Sequence, residues 1–229
     1  MTIAIMQPYL FPYIGYWQLI NAADTFVIYD DVNYINKGYI NRNSILVNGK
    51  SQQFTLELIG VSQNKLINKI EVGNNVQKLL KTIEMSYKKA PYFNTIFPMI
   101  EDILNQKEKN LAKFIGNSLQ KLSAYLEINT KFIYSSDIEK DNELKAQDKV
   151  LDICKKLGTI NYINAIGGKE LYNKKKFEEQ DIQLDFLETK LVKYKQFKNE
   201  FVACLSIIDI MMFNHKDKVS KMLLQYKLI

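Results

Sequence analysis

Apolar residues fall in short runs and helical stripes, and the order of these patterns outlines the fold. Ile3 to Met6 is a short apolar run closed by Pro8 and Pro12. Residues 13 to 23 place Ile14, Trp17, Leu19, Ile20 and Ala23 near helical spacing, and Thr25 to Tyr29 is a β-branched and aromatic run. Together they predict a β-α-β unit, whose right-handed crossover puts both strands in one parallel sheet. A hairpin follows: Ser44 to Val47, a turn at Asn48-Gly49, then Gln53 to Leu58. Asn-Gly between apolar runs favours a type I′ turn, whose two central residues need positive φ.

From about Asn75 to Leu126 the stripe is helical, carried by Leu79, Leu80 and Ile83, then Ile96, Ile100 and Ile103, then Leu111, Ile115 and Leu119. Pro91 separates the first two helices. Lys131 to Tyr134 returns to strand, and Glu143 to Leu157 is an amphipathic helix ending at Gly158, a natural C-terminal cap. Ile160 to Ile166 is a strand leading into Gly167-Gly168-Lys169, with a short helix, a strand over Ile182 to Leu187, and a helical tail over 201 to 226 beyond it. The expected architecture is therefore α/β and Rossmann-like. Residues 1 to 60 and 131 to 229 share a mainly parallel sheet, and 75 to 126 form a helical insertion in one domain spanning 1 to 229.

Composition narrows the function classes. The chain has 229 residues, 47% of them apolar, enough for a sizeable core. No apolar run reaches membrane-spanning length, and the N-terminus lacks a basic start and a small-residue cleavage site, so a cytoplasmic protein without membrane insertion is expected. Cys154 and Cys204 are too few for a disulfide framework and read as buried free thiols, Cys204 as core among apolar neighbours. Net charge is +6, but the lysines are interleaved with acids; even Lys174-Lys175-Lys176 precedes Glu178-Glu179. That pattern predicts no polymeric nucleic acid as partner and remains compatible with one anionic ligand. His215 is the only histidine and sits on a polar stretch, and no Cys-x-x-Cys exists, so no metal site is expected.

One residue stands out by scarcity. Arg42 is the only arginine among thirty lysines, and its planar, bidentate guanidinium suits a carboxylate or phosphate. Asn41 and Asn43 flank it as neutral donors and acceptors. Asp30-Asp31 end the second strand, at the sheet edge where open α/β folds bind ligands. An acid there could bond sugar hydroxyls, take a proton from an amine or hold Mg²⁺. Gln7, Tyr9, Tyr13 and Gly15 occupy the first strand-to-helix turn, where free N–H groups and the helix dipole favour anions. Gly167-Gly168-Lys169 with Tyr172 is a second such junction, readable as a backbone nest beside a positive charge. Asp209 lies inside an apolar helical segment and needs a partner, either a neighbouring loop, Arg42 or a ligand.

The first junction is similar to nucleotidyltransferases of the HIGH superfamily, in which a proline precedes a His-Ile-Gly-His tetrad. Tyr13 and Tyr16 stand at both histidine places, which weighs against adenylyl transfer. Taken together, Ile3-Ala4-Ile5-Met6-Gln7-Pro8-Tyr9 with Gly15-Tyr16, Tyr29-Asp30-Asp31-Val32, Asn41-Arg42-Asn43, Asn164-Ala165-Ile166-Gly167-Gly168-Lys169 and Leu205-Ser206-Ile207-Ile208-Asp209 resemble the WbqC-like family. The resemblance spans nearly the whole chain. It implies bacterial O-antigen or capsule (lipopolysaccharide) biosynthesis, and transfer of glycine or another acyl group to a nucleotide-linked amino sugar. For that chemistry Gly15 or Gly167-Gly168 could hold the diphosphate, Asp30 or Asp31 accept the amine proton, and Arg42 hold a carboxylate or oxyanion. The acyl group could be activated by ATP with Mg²⁺, or delivered by an acyl carrier or aminoacyl-tRNA. A non-catalytic sugar-nucleotide binding protein is the alternative, and convergence of Asp30, Arg42 and Asp209 would favour the enzyme.

Overall fold

The alternating apolar residues of the strands face two separate cores, and this divides the molecule into layers. The computed structural model describes every residue except Asn199. In chain order, β1 (Thr2–Met6), α1 (Ile14–Ala22) and β2 (Thr25–Ile28) form the expected first unit. The hairpin β3 (Arg42–Val47) and β4 (Lys50–Thr55) follows, then the short pair β5 (Leu58–Ile59) and β6 (Glu71–Val72). Three helices come next: α2 (Val76–Tyr87), α3 (Phe93–Leu104) and α4 (Leu111–Tyr125). The remainder is β7 (Lys131–Tyr134), α5 (Ala146–Lys156), β8 (Asn161–Ala165), α6 (Lys174–Glu178), β9 (Gln183–Thr189), α7 (Ile207–Phe213), α8 (Lys216–Met222) and β10 (Tyr226–Leu228).

The six-stranded sheet runs in the order β10-β9-β8-β1-β2-β7. Its pairings are parallel except for β10 on β9. This is the expected mainly parallel α/β architecture. Ala4, Phe26, Ile28 and Ile163 point to the side of α1, the three-helix layer and α7; Ile3, Ile5, Val27 and Tyr162 point to α5 and α6. The period of two along each strand places successive side chains on opposite faces. Because β1 pairs β2 on one side and β8 on the other, chain order reverses at the β1/β8 boundary. In open α/β sheets ligands bind outside the carboxyl ends of the strands at such a point.

Two expectations are corrected. The hairpin does not join the main sheet: β3 and β4 pair only with each other among the described residues, and their register brings Val47 opposite Lys50. Asn48 and Gly49 do adopt positive φ, at 49° and 77°, so the turn chemistry stands while the second strand ends at Thr55. The tail over 201 to 226 is not one helix. Asn214 leaves the helical region, His215 caps α8, and the chain ends in β10, which pairs along the open edge of β9. Among the described residues no helix is long and apolar enough to cross a membrane.

Helix α5 stops as its glycine predicts. Gly158 has φ +61°, its N–H bonds the carbonyl of Lys155 at 3.0 Å, and the N–H of Thr159 bonds that of Cys154 at 3.1 Å. This double closure is a Schellman motif, and its left-handed residue disfavours any Cβ. Gly158→Ala should therefore destabilise the fold by about 1 kcal/mol, although the space around the new methyl is open. Urea denaturation would show a lower midpoint with an unchanged slope.

Candidate functional site

The loop joining β1 to α1 is the best-anchored irregular segment near the carboxyl edge. Leu10 N–H donates to the Ile40 carbonyl at 3.0 Å, and the Trp17 indole N–H donates to that of Pro12 at 3.1 Å. The Phe11 carbonyl accepts from Asn43 Nδ2 at 2.9 Å and Ser206 Oγ at 2.7 Å. Asn43 is thus buried as a clamp on this loop. Asn41 is likewise structural, accepting the Tyr34 hydroxyl at 2.8 Å and donating to the Leu56 carbonyl at 2.7 Å. The expected pair of amides around an Arg42 ligand is not formed. Alternation along β3 turns both amides into the core and leaves Arg42 half-buried on the other side, its Nε donating to the Gly38 carbonyl at 2.7 Å.

Gln7, Tyr9, Tyr13 and Gly15 gather around this loop. The Tyr16 hydroxyl donates to the Gln7 carbonyl at 2.7 Å, and the Tyr9 ring lies 5.3 Å from that of Tyr16 and 6.1 Å from that of Tyr39. Burial raises the Tyr9 phenol, with Tyr13 and Tyr39 adding to it. Tyr13 folds back over Gly15 against Thr189 at the end of β9, and a Cβ on Gly15 would collide with both side chains. That explains the glycine: the close approach is made by the protein's own side chains.

Three carboxylates were candidates for chemistry, and the structure gives each a different environment. Asp30 is 2% exposed and fully engaged, accepting Ser136 N–H at 3.0 Å, Ser136 Oγ at 2.7 Å and Asn68 Nδ2 at 3.1 Å. It staples β2 to the turn after β7 and has no path to a ligand. Asp31 turns to the other face and pairs with Lys140 at 2.8 Å and Lys149 at 3.1 Å. Burial raises its carboxyl, but the two lysines outweigh that and hold it below the usual carboxylate range. A weak base between two ammoniums suits neither an amine proton nor Mg²⁺, so those expected roles fail for this pair.

Asp209, 0% exposed, takes its hydrogen bonds from other residues than Arg42, whose Nε is used by the Gly38 carbonyl. It accepts Tyr87 Oη at 2.8 Å, Tyr194 Oη at 2.6 Å and Gln196 Nε2 at 2.6 Å. Burial raises its carboxyl above the ordinary aspartate value, with the three donors only partly offsetting this. The Tyr194 phenol is pushed well up by burial and by Asp209.

The second glycine junction also differs from expectation. Ile166–Gly168 is a single 3₁₀ turn, and neither Gly167 nor Gly168 has positive φ, so no αR-αL nest forms. Gly168 is needed because a Cβ there would meet the Asn164 side chain, whereas Gly167 faces open space. Lys169 is exposed beside it, and Tyr172 packs at 6.0 Å from Tyr162. These residues and Gln7 occupy the carboxyl edge on the two sides of the β1/β8 boundary.

Against α1 and the end of β9 lies a cavity of about 180 Å³, walled mainly by hydrocarbon from α1, the chain after β9, α7 and α8. Its polar lining residues are Tyr13, Gln18, Thr189, Tyr194, Cys204 and the exposed Lys190. Cys204 is exposed with φ +59°, correcting its expected place in the core, while Cys154 is buried. Thr189, Tyr194 and Gln18 were missed by sequence reasoning. Gln18 carried a signal, an amide within the apolar Trp17-Gln18-Leu19-Ile20; Tyr194 lies in a segment with no periodicity.

A model of the WbqC-like protein family matches residues 7–221. The chain belongs to that family. A Mycobacterium tuberculosis protein described as "Uncharacterized protein Rv1507c" is 25% identical over 214 residues, spanning 91% of this chain and 92% of its own length. No solved structure matches. In this WbqC-like chain the segments around Asn41 and Asp209 meet the β1–α1 loop through Ile40, Asn43 and Ser206. Asp30 is held apart by Ser136 and Asn68, and Asp209 reaches the cavity through Tyr194.

The raised Asp209 carboxyl fixes the sign of a pH effect. A group whose folded value lies above its unfolded one adds stability at low pH that is lost as pH rises through the folded value. Asp209→Asn should therefore destabilise more at pH 4 than at pH 7, because the wild-type carboxyl is costly to bury once ionised. Urea melts of both proteins at the two pH values isolate the effect; a larger penalty at pH 7 would contradict it.

Proposed function

We propose that this protein attaches glycine, or a similar small acyl group, to the amine of a nucleotide-linked amino sugar in bacterial surface polysaccharide biosynthesis. The observation that carries the reading is the Tyr194–Asp209 pair in the cavity wall, a buried carboxylate of raised basicity joined to the site by one phenol. The nucleotide would lie across the β1/β8 boundary beside Gln7, Gly167 and Lys169, as open α/β sheets hold such ligands. Lys169, and Arg42 from the hairpin rim, would supply positive charge to phosphate or carboxylate.

In the reaction the amine nitrogen attacks the acyl carbonyl carbon, and the bond from that carbon to its activating group breaks. The amine proton passes to the Tyr194 oxygen as the Tyr194 proton moves to Asp209 Oδ2. Activation by ATP, an acyl carrier or aminoacyl-tRNA all leave this proton path unchanged. The nucleotidyltransferase-like alternative loses support, since Tyr13 and Tyr16 are neutral phenols packed against Thr189 and the Gln7 carbonyl. Sugar-nucleotide binding without chemistry is the second reading, favoured by the complete engagement of Asp30 and the ion pairing of Asp31.

Purified protein incubated with a dTDP- or UDP-amino sugar and glycine, with and without ATP, should yield a glycyl adduct by mass spectrometry of the sugar nucleotide. Tyr194→Phe should reduce adduct formation by about 10²–10⁴-fold, the range of general acid–base catalysis, while sugar-nucleotide affinity changes little. Binding with no adduct under any donor supply would transfer the weight to the binding-protein reading.

A further inference from the structure

A groove of about 670 Å³ lies between the hairpin turn, the C-terminal end of α2 and the chain that follows β9. Leu46, Met85 and Phe197 give it an apolar lining, and Met85 is 67% exposed. Lys88, Lys89 and Lys198 also line it, all exposed, and no carboxylate joins them. None of the three takes part in an ion pair among the described residues. The nearest acids in sequence, Glu84 one turn before Lys88 and Glu200 just after Lys198, lie outside the lining. Lys88 and Lys89 complement the dipole of α2 by their position alone. That accounts neither for Lys198, which arrives from a distant segment, nor for the concave shape. Phe197 has φ +50°, a left-handed conformation disfavoured for a bulky residue, and its ring rests edge-on against Phe213 at 4.7 Å. The volume falls within the roughly 300–1,000 Å³ of small-molecule sites.

We propose that this groove binds a phosphate monoester whose organic body is aromatic. The three ammoniums are point charges that suit a dianionic phosphate, whereas a planar carboxylate is better held by an arginine fork. The body lies over Met85 and Phe197, where a thioether and a ring both favour an aromatic neighbour. A docked protein fits less well, since lysine is depleted at protein interfaces. Bare inorganic phosphate leaves the apolar lining uncovered. The groove shares no lining residue with the cavity beside Tyr194, and the inference rests on no part of the transferase reading.

Met85 supplies the readout, because hydrogen peroxide oxidises exposed methionine to the sulfoxide and an occupant of the groove shields it. Met1, 46% exposed and outside the groove, is the internal control. The probe is phenyl phosphate, compared with phenol, which keeps the body, and with inorganic phosphate, which keeps the charge. By mass spectrometry, phenyl phosphate should slow Met85 oxidation in a saturable way and leave Met1 unchanged. Phenol should bind about tenfold more weakly, as expected for loss of charge-assisted contacts, and inorganic phosphate should give no protection. Lys88→Gln, Lys89→Gln and Lys198→Gln should each weaken protection by about two- to fivefold, the range of an exposed charge pair. Lys218→Gln, on α8 and outside the groove, should change nothing. All four lysines are exposed, so their replacement leaves the fold intact. Protection by phenol as strong as by phenyl phosphate, protection by inorganic phosphate, or an equal loss in the Lys218 variant would each overturn the proposal. So would the absence of protection at about 10 mM phenyl phosphate, ten times a weak millimolar dissociation constant.

Discussion

The carbonyls of Phe11 and Pro12 hold the architecture of the site. Phe11 sits at φ +44°, a left-handed conformation disfavoured for a bulky side chain, and four donors keep it and its neighbour in place. Asn43 and Ser206 bond the Phe11 carbonyl; the Trp17 indole and Ile207 N–H bond that of Pro12. The donors come from the hairpin, from α1 and from the start of α7. A loop between β1 and α1 thereby becomes the meeting point of three distant segments. Once it is fixed, Tyr13 closes over Gly15 onto Thr189, α7 begins beside α1, and the cavity has its walls. Backbone strain of this kind persists only where surrounding contacts over-determine it.

The same convergence separates three aspartates that look alike in the chain. Asp30 and Asp31 are adjacent, yet the end of β2 sends one to a hydrogen-bonded staple and the other to two lysines. Asp30 is satisfied by neutral donors, whereas Asp31 is held by charge through Oδ2 while its Oδ1 has no hydrogen-bond partner among the described residues. Asp209 has neutral donors only, and burial acts on it without a cation to compensate. An acid held this way takes a proton more readily than Asp31, whose lysines hold its carboxyl down. Its burial keeps it out of the cavity lining, and Tyr194 is the group that connects the two.

Local patterns were readable from the residues because they are enforced over a few positions. The period of two in β1, β2 and β8, the stripes of α2 to α4, the Asn-Gly turn and the Gly158 cap all follow from chemistry within one element. Partner choice over long distances was not readable. Nothing in the Asn41-Arg42-Asn43 tripeptide tells that both amides face inward to Leu56 and Phe11 while arginine remains at the rim. Likewise Asp209 finds Tyr87, 122 positions away in the chain, rather than the lone arginine. A strand pattern does not specify which edge it joins, so the separation of the hairpin from the main sheet is not written in its residues. In the tail the helical apolar spacing survives the breaks at Asn214 and Gln225, which are set by capping and by pairing with β9. The cavity escaped notice because the chain after β9 has no periodicity to read.

Under the proposed function, one sugar nucleotide would span the β1/β8 boundary and bring its amine to the cavity wall. A crystal structure of the protein with a dTDP- or UDP-amino sugar tests it directly. The diphosphate is expected at the carboxyl edge beside Gln7 and the Gly167–Lys169 turn, with the amine nitrogen within hydrogen-bonding distance, about 2.7–3.2 Å, of the Tyr194 hydroxyl. Nucleotide bound elsewhere on the surface, or an amine directed away from Tyr194, would contradict it.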